Sequence, residues 1–211
     1  MTDLVFDCVG ARPDRLTMTP SLTLELRISD TDGGRVDAIA LRCQIRIQPH
    51  ARRYSAQEAQ RLHDLFGDTD RWEDTLKPLQ LANLSLMVPG FTGSTTVDLP
   101  LPCTYDLEIA STKYLNGLDD GVVPLLLLFS GTVFGTQDGQ RFVQQVPWSK
   151  EATFGLPVQI WREAMDLHFP NSAWLRVHRE TLDALQRFKS AHALPSFDDT
   201  LVELLHRATG P

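Results

Sequence analysis

The sequence lacks a hydrophobic run long enough to cross a bilayer. Its most apolar stretch, residues 121–133, is shorter than the roughly 20 apolar residues that a transmembrane helix needs. Residues 1–4 have neither the basic region nor the apolar core of a secretory signal. The composition, 42% hydrophobic and 22% charged, is typical of a globular domain. We therefore expect a soluble cytoplasmic protein without a membrane span.

An excess of positive charge is also absent. Lys and Arg number 20 against 27 Asp and Glu, which gives a formal net charge of -7. Because a negative protein repels the phosphate backbone, we do not expect nucleic acid as a partner. A chain of 211 residues is long enough to bury a core as one domain.

Closely spaced metal ligands are missing. The three cysteines, Cys8, Cys43 and Cys103, lie far apart and show no zinc-knuckle or redox spacing. Reduced, buried thiols are the expected state. Four of the six histidines fall in the C-terminal part at separations of ten to fourteen residues, which indicates no common site. We predict neither a metal site nor a cofactor.

The common catalytic signatures are absent too. Residues 90–94 are rich in glycine but lack the Gly-Lys-Ser/Thr ending of a phosphate-binding loop. The chain has no G-x-S-x-G elbow and no H-E-x-x-H pair. We therefore assign no catalytic residue and do not predict a conventional enzyme.

What the sequence does contain is strand periodicity. Apolar residues alternate with polar ones over residues 22–28 and again over 39–47, which predicts two half-buried strands. The turn-forming residues 30–34 between them predict an antiparallel hairpin. Ser55 and Glu58 have the spacing of a capping box, so a short helix should run to about Leu65.

Further alternation predicts more strands after that helix, at residues 82–88, 97–101, 105–109, 122–129 and 141–148. Residues 89–93 are predicted to be a loop, and Pro100 and Pro102 should place their strand at a sheet edge or bulge. The strand at 122–129 is apolar on both faces, so we expect it to be central and covered on both sides. Residues 136–139 should form the turn before the last strand.

Beyond Pro147 the period changes to that of helices. Pro157 can open a helix that ends at residues 169–170, and apolar residues at 182, 185 and 188 predict a second one. Ser196 should cap a third. We predict an α+β fold, an antiparallel β-sandwich with a helical C-terminal segment. Residues 1–149 would form the sandwich with one inserted short helix, and residues 150–211 would pack on it within one domain.

One basic cluster stands out on this acidic chain. Arg42 and Arg46 lie on the polar face of one predicted strand, and Arg52 and Arg53 follow its end. The cluster is either a solvated strand face or a docking patch for carboxylates of a protein partner. Trp72, in the polar connection 67–77, is the expected exposed interface anchor. Trp161 should face the core, and Trp148 and Trp174 should pack at the join between sheet and helices.

The chain resembles a bacterial family of unknown function. Four segments carry the resemblance, which covers nearly the whole length: residues 39–47 (IALRCQIRI), 87–95 (MVPGFTGST), 126–134 (LLLFSGTVF) and 169–175 (FPNSAWL). The resemblance implies a gene neighbourhood beside nickel-iron hydrogenase structural and maturation genes, particularly those of the high-affinity, oxygen-tolerant type. It implies no catalytic residue.

Two functions follow as hypotheses. The first is a non-enzymatic accessory or assembly protein that binds a nickel-iron hydrogenase subunit or maturation factor. The second is an enzyme or a carrier of a small ligand or metal, with its pocket between the sandwich and the C-terminal helices. A carrier of nickel or iron would purify with stoichiometric metal, and a docking protein would not.

Overall fold

The computed structural model describes residues 3–103, 109–137, 139–170 and 177–209. The chain divides into two compact units, Met1–Pro170 and Asn171–Pro211. The strands of the first unit are β1 (Leu4–Pro13), β2 (Ser21–Asp30), β3 (Arg35–Ile47), β4 (Leu79–Thr92), β5 (Ser94–Pro102), β6 (Val122–Gln137), β7 (Gln140–Gln145) and β8 (Glu151–Pro157). Its helices are α1 (Ala56–Phe66), α2 (Trp72–Thr75), α3 (Ile109–Gly117) and α4 (Val158–His168).

The strands form two antiparallel sheets. The first sheet has the order β1-β2-β5, and the second has the order β4-β3-β6-β7, with β8 paired to the first half of β6. The inward residues of β2 and β3 are buried throughout, and the rings of Phe6 in β1 and Phe129 in β6 stack at 4.4 Å between the sheets. The predicted α+β fold with an antiparallel sandwich is confirmed.

The predicted hairpin between residues 22–28 and 39–47 is wrong. β2 pairs with β1 and β5, whereas β3 pairs with β4 and β6. The turn at residues 31–34 carries the chain from one sheet to the other, so the two apolar faces meet across the core. Alternation sets the buried face of each strand but not its neighbour.

The predicted loop at residues 89–93 is also wrong, because β4 continues to Thr92. β4 is an edge strand, paired only with β3 among the described residues. An edge strand can hold Pro89 without losing a ladder hydrogen bond, which explains why the proline does not end it. Pro100 and Pro102 lie in β5, the edge of the first sheet, as predicted.

Other predictions hold in part. β6 is central, but its outward Leu126 and Leu128 are only half-buried, so its second face is incompletely covered. The strand predicted as the last one, at residues 141–148, corresponds to β7, which ends at Gln145 and is followed by β8. Residues 104–108 lie outside the described residues, and they include most of the strand predicted at 105–109. Residue 138 of the predicted turn also lies outside them.

Helices α1, α3 and α4 complete the core of the first unit. The capping box of α1 is present, with Ser55 and Glu58 exchanging both hydrogen bonds. Pro157 precedes α4, whose Val158 and Trp161 are buried, and the burial of Trp161 confirms its predicted position facing the core. None of the described helices has the length and apolarity needed to cross a bilayer.

The second unit contains two described helices, α5 (Arg179–Ala191) and α6 (Phe197–Thr209). Ser196 accepts a hydrogen bond from the backbone N–H of Asp199, which confirms the predicted cap. Phe188 stacks on His192 at 4.0 Å, and the guanidinium of Arg207 lies over the Phe188 ring. Packing of this segment on the sandwich stays a prediction.

Candidate functional site

The outer face of the second sheet carries part of the predicted basic cluster. Because inward residues of β3 alternate with outward ones, Arg42, Gln44 and Arg46 point away from the core. Arg42 is exposed, lies opposite Ser85 and Ser130 on the neighbouring strands, and has no ion-pair partner among the described residues. Within the described part of the chain, no carboxylate neutralises its charge.

Apolar side chains lie beside Arg42 on the same face. Pro89, Ala38, Phe134 and Val143 stand opposite one another in a row across four strands. In the adjacent row, Met87 lies opposite Ala40. Met87 is 63% and Val143 67% exposed. We call Met87, Pro89, Phe134 and Val143 the apolar patch. Contiguous exposed apolar surface of this kind is typical of interaction sites.

A tryptophan stands at the border of this face. Trp148 is 91% exposed and lies in the turn between β7 and β8. Hydrogen bonds from Val146 N to Gly131 O and from Phe129 N to Lys150 O fix the turn beside Ser130, in the row of Arg42. The expectation that Trp148 packs at the sheet-helix join is therefore wrong, and Trp174 lies outside the described residues.

A shallow groove of about 550 Å³ opens at the other end of the face. Arg35, Phe134, Arg141 and Val143 are among the residues that line it. Arg35 is paired with Asp37 at 3.0 Å, whereas Arg141 has no ion-pair partner among the residues described. The apolar patch thus lies between Arg42 and Arg141, neither of which is paired within the described part of the chain. We call the apolar patch, Arg42, Arg141 and Trp148 together the docking surface.

The other predicted residues divide between surface and core. Arg53 is exposed, and Arg46 is half-buried, with its Nη2 donating to Gln44 Oε1 at 3.0 Å. Arg52 is instead buried with Glu58, their side chains being 9% and 5% exposed. Arg52 also donates to the carbonyl oxygens of Asp120 and Val122 at 2.7 and 3.0 Å. Its contacts are those of a structural residue.

Glu58 is the centre of this buried pair. Burial alone would raise the pKa of Glu58, but the backbone N–H groups of Ser55 and Asp119 and the guanidinium of Arg52 outweigh it. They hold the pKa of Glu58 below its ordinary value. The charged pair therefore fixes the start of α1 to the loop before β6.

Trp72 does not lie exposed in a loop, contrary to expectation. It begins α2, is half-buried, and its indole N–H donates to the Gly67 carbonyl at 3.0 Å. Its ring meets Tyr54 and Phe66 edge to face. These contacts leave little of the indole for a partner, and its predicted role as an anchor stays a prediction.

The sequence could have indicated only part of this surface. The polar face of β3 was visible in the alternation, but the rows across β4, β6 and β7 depend on strand pairing. The turn residues Pro147 to Lys150 were the one local signal that Trp148 lies outside the sheet.

A protein-family model described as "Family of unknown function (DUF6084)" matches residues 1–211 of this sequence. The chain belongs to the DUF6084 family. No curated protein matches it significantly.

Two solved structures are similar to this DUF6084 chain. They are a β-glucosidase from Kluyveromyces marxianus (12% identity, TM-score 0.27) and β-glucosidase 3B from Thermotoga neapolitana in complex with α-D-glucose (12% identity, TM-score 0.26). The matches cover 74% and 73% of this chain but only 15% and 17% of those enzymes. Neither bears on the function of the DUF6084 chain.

The cysteines of the DUF6084 chain lie in the sandwich, Cys43 and Cys103 buried and Cys8 half-buried. Burial raises the pKa of Cys8 to about 11 and the pKa of Cys43 and Cys103 to about 12. Their thiols are therefore protonated at neutral pH and poor metal ligands. Among the described residues, no group of three His, Cys, Asp or Glu is placed to hold a metal ion.

We expect all three thiols to resist a thiol-specific disulfide reagent until the protein unfolds. Cys43→Ala should lower the free energy of unfolding by about 1 kcal/mol, since it removes a small buried side chain. Reagent titration with and without denaturant checks the first expectation, and urea unfolding checks the second. Metal analysis of the wild type and of the variant in which Cys8, Cys43 and Cys103 are all replaced by alanine completes the test. Stoichiometric metal that only the wild type holds would contradict the structural role of the cysteines.

Proposed function

We propose that this protein is a non-enzymatic accessory protein that binds another protein through the docking surface. The observation that carries the proposal is the uncovered apolar patch between Arg42 and Arg141, with Trp148 at its border. Trp and Arg are among the residue types that most often dominate binding energy, particularly in well-packed, desolvated parts of an interface. A partner that presents apolar side chains flanked by carboxylates complements this surface.

We further propose that the partner is a nickel-iron hydrogenase subunit or maturation factor. The support for this is the family resemblance, which implies a gene neighbourhood beside hydrogenase genes. An assembly partner needs contacts that form and then break, and a modest exposed patch suits that behaviour better than a large obligate interface.

The test is co-purification of the tagged protein from its native host with hydrogenase subunits quantified. Trp148→Ala and Met87→Asp should each reduce the bound subunit at least about tenfold, because hot-spot truncation costs about 2 kcal/mol or more. Met18→Asp is the matched control, since Met18 is also an exposed methionine, more so than Met87, but lies in the loop between β1 and β2. Unchanged capture by the first two variants would contradict the surface.

The charge contribution needs a separate variant. Arg42→Glu with Arg46→Glu should leave the melting temperature nearly unchanged, yet slow association with the captured subunit at low salt more than at high salt. Surface plasmon resonance at two ionic strengths measures this. Equal association rates for wild type and variant at both salt concentrations would show that the arginines only form a solvent-exposed strand face and do not contribute to binding.

Metal content separates this proposal from the alternative of a metal carrier. A docking protein should purify with far less than one nickel, iron or zinc per chain, and a carrier should hold one or more. Elemental analysis of protein prepared from the native host decides between them. Recovery of partners unrelated to hydrogenase would overturn the hydrogenase assignment while leaving the docking surface intact.

A further inference from the structure

The outer edge of β7 offers a row of unpaired backbone groups. Val146 N donates to Gly131 O at 2.9 Å, and Thr132 lies opposite Gln145 in the β6-β7 register. Hydrogen-bonded pairs alternate along an antiparallel ladder, so Gln144 and Phe142 also bond toward β6. The N–H and C=O groups of Arg141, Val143 and Gln145 therefore point away from β6. In the part of the chain that the structure describes, no strand pairs with them.

This edge differs from the others among the described residues in lacking a proline, although its short length and Arg141 give it some protection. Edge strands are commonly protected by proline, which removes a donor, or by a bulge, which twists the edge away. β7 contains no proline, and its register with β6 shows no irregularity. Every other strand with a free side among the described residues carries a proline: Pro13 in β1, Pro89 in β4, Pro100 and Pro102 in β5, and Pro157 in β8.

We propose that β7 pairs antiparallel with β7 of a second copy of this chain, across a twofold axis at Val143. The edge is self-complementary in this register, because Val143 meets Val143 of the second copy and Arg141 meets Gln145 of the second copy. No like charges oppose each other, although two chains of net charge -7 approach. The contact goes beyond the proposed function, since it concerns self-association and not the accessory partner.

The side chains favour the same register. Arg141, Val143 and Gln145 are exposed on the outer face, and Val143 lies opposite Phe134 of β6. Pairing at Val143 would join the apolar rows of the two copies into one band, from Phe134 through both Val143 residues to the second Phe134. Because β7 has only six residues, the contact is small, and the dimer should form and dissociate with concentration.

Sedimentation of the full chain over a range of concentrations tests the association. We expect the mass to rise from 23.7 kDa toward twice that value. Val143→Lys and Val143→Asp should each abolish the rise, because each places two like charges directly opposite one another. A mixture of the two variants should restore it. Val5→Lys is the matched control, since Val5 is an exposed valine on edge strand β1 and should leave dimer formation unchanged.

A cysteine at the axis tests the register. Val143→Cys should form a disulfide between two copies with oxidised glutathione as the oxidant, because directly opposite residues in a hydrogen-bonded antiparallel pair have Cα atoms about 5.5 Å apart. Val5→Cys should not cross-link. Thermal melts of all variants establish that each is folded. A single-chain mass at every concentration, or dimers that survive both charged substitutions, would overturn the proposal.

Discussion

Replacing Arg52 by methionine is expected to lower the free energy of unfolding by about 3–5 kcal/mol. The side chains of Arg52 and Glu58 are almost fully buried, so the substitution leaves the carboxylate of Glu58 without its cation. It also removes donors to the carbonyl oxygens of Asp120 and Val122. Urea unfolding followed by tryptophan fluorescence measures the effect.

A double-mutant cycle separates the ion pair from its surroundings. Arg52→Met with Glu58→Met should cost less than the two single changes together, since apolar residues of similar volume replace a buried pair at little net cost. Lys113→Met is the control, because Lys113 and Asp64 form an exposed pair at 3.4 Å that should contribute less than about 1 kcal/mol. Equal costs for Arg52→Met and Lys113→Met would contradict the structural role of Arg52.

The same pair predicts how stability changes in acid. The pKa of Glu58 is lower in the folded protein than its ordinary value of 4.5. Its stabilising contribution is therefore complete above that value and is lost as the pH falls through the lowered pKa. Glu58→Gln should accordingly reduce the difference in stability between pH 7 and pH 3. An unchanged difference would assign the acid sensitivity to other carboxylates.

Gly131→Ala is expected to destabilise the protein by about 3 kcal/mol or more. Gly131 lies in β6 with a φ of +147°, a region that other residues rarely adopt. A Cβ atom there would stand 2.2 Å from the carbonyl oxygen of Ala40 on β3. Both strands are central in the second sheet, so neither backbone can move without disturbing its other ladder.

Gly155→Ala provides the comparison for Gly131. Gly155 lies in β8 of the same sheet, where an added Cβ would meet Val122 at an ordinary contact distance of 3.5 Å. Its substitution should leave stability unchanged or raise it slightly, because alanine loses less backbone freedom on folding than glycine. Differential scanning calorimetry of both variants measures the contrast. Similar melting temperatures would show that the Gly131 backbone relaxes at little cost.

Local pattern predicted the strand faces well. Leu22, Leu24, Leu26 and Ile28 are all buried, as are Ile39, Leu41 and Ile45. The capping box at Ser55 was predicted for the same reason, since its hydrogen bonds join residues three apart. Features that depend only on near neighbours in the chain can be derived from the sequence.

Features that depend on distant neighbours could not be derived. The partners of β2 and β3 are chosen across the core, and no residue of the turn at 31–34 encodes that choice. Pro89 indicated a loop because a strand can hold a proline there only if it lies at a sheet edge, and the sequence does not show that β4 is an edge strand. β1 and β8 were missed although Leu4, Phe6 and Cys8, and also Ala152, Phe154 and Leu156, alternate with their neighbours.

The candidate site shows the same difference between features set by near neighbours and features set by distant ones. Arg42 on the polar face of β3 was predicted correctly as exposed, because its orientation follows from the alternation. Proximity in the sequence places Arg52 in the same basic cluster, but its burial depends on Glu58 and on the loop before β6. The apolar patch consists of side chains from three separate strands, so no short stretch of the sequence could have predicted it.

The crossing of the chain between sheets also bears on how the protein folds. β2 lies between β1 and β5, and Ser21 pairs with Pro102, so β3 and β4, which belong to the other sheet, lie in the chain between two strands that pair with each other. Such high contact order predicts slow folding, because long loops must close before their contacts stabilise the chain. During synthesis, the apolar β2 would have to wait with one side open until residues 94–102 leave the ribosome. Over that interval we expect the nascent chain to depend on chaperones.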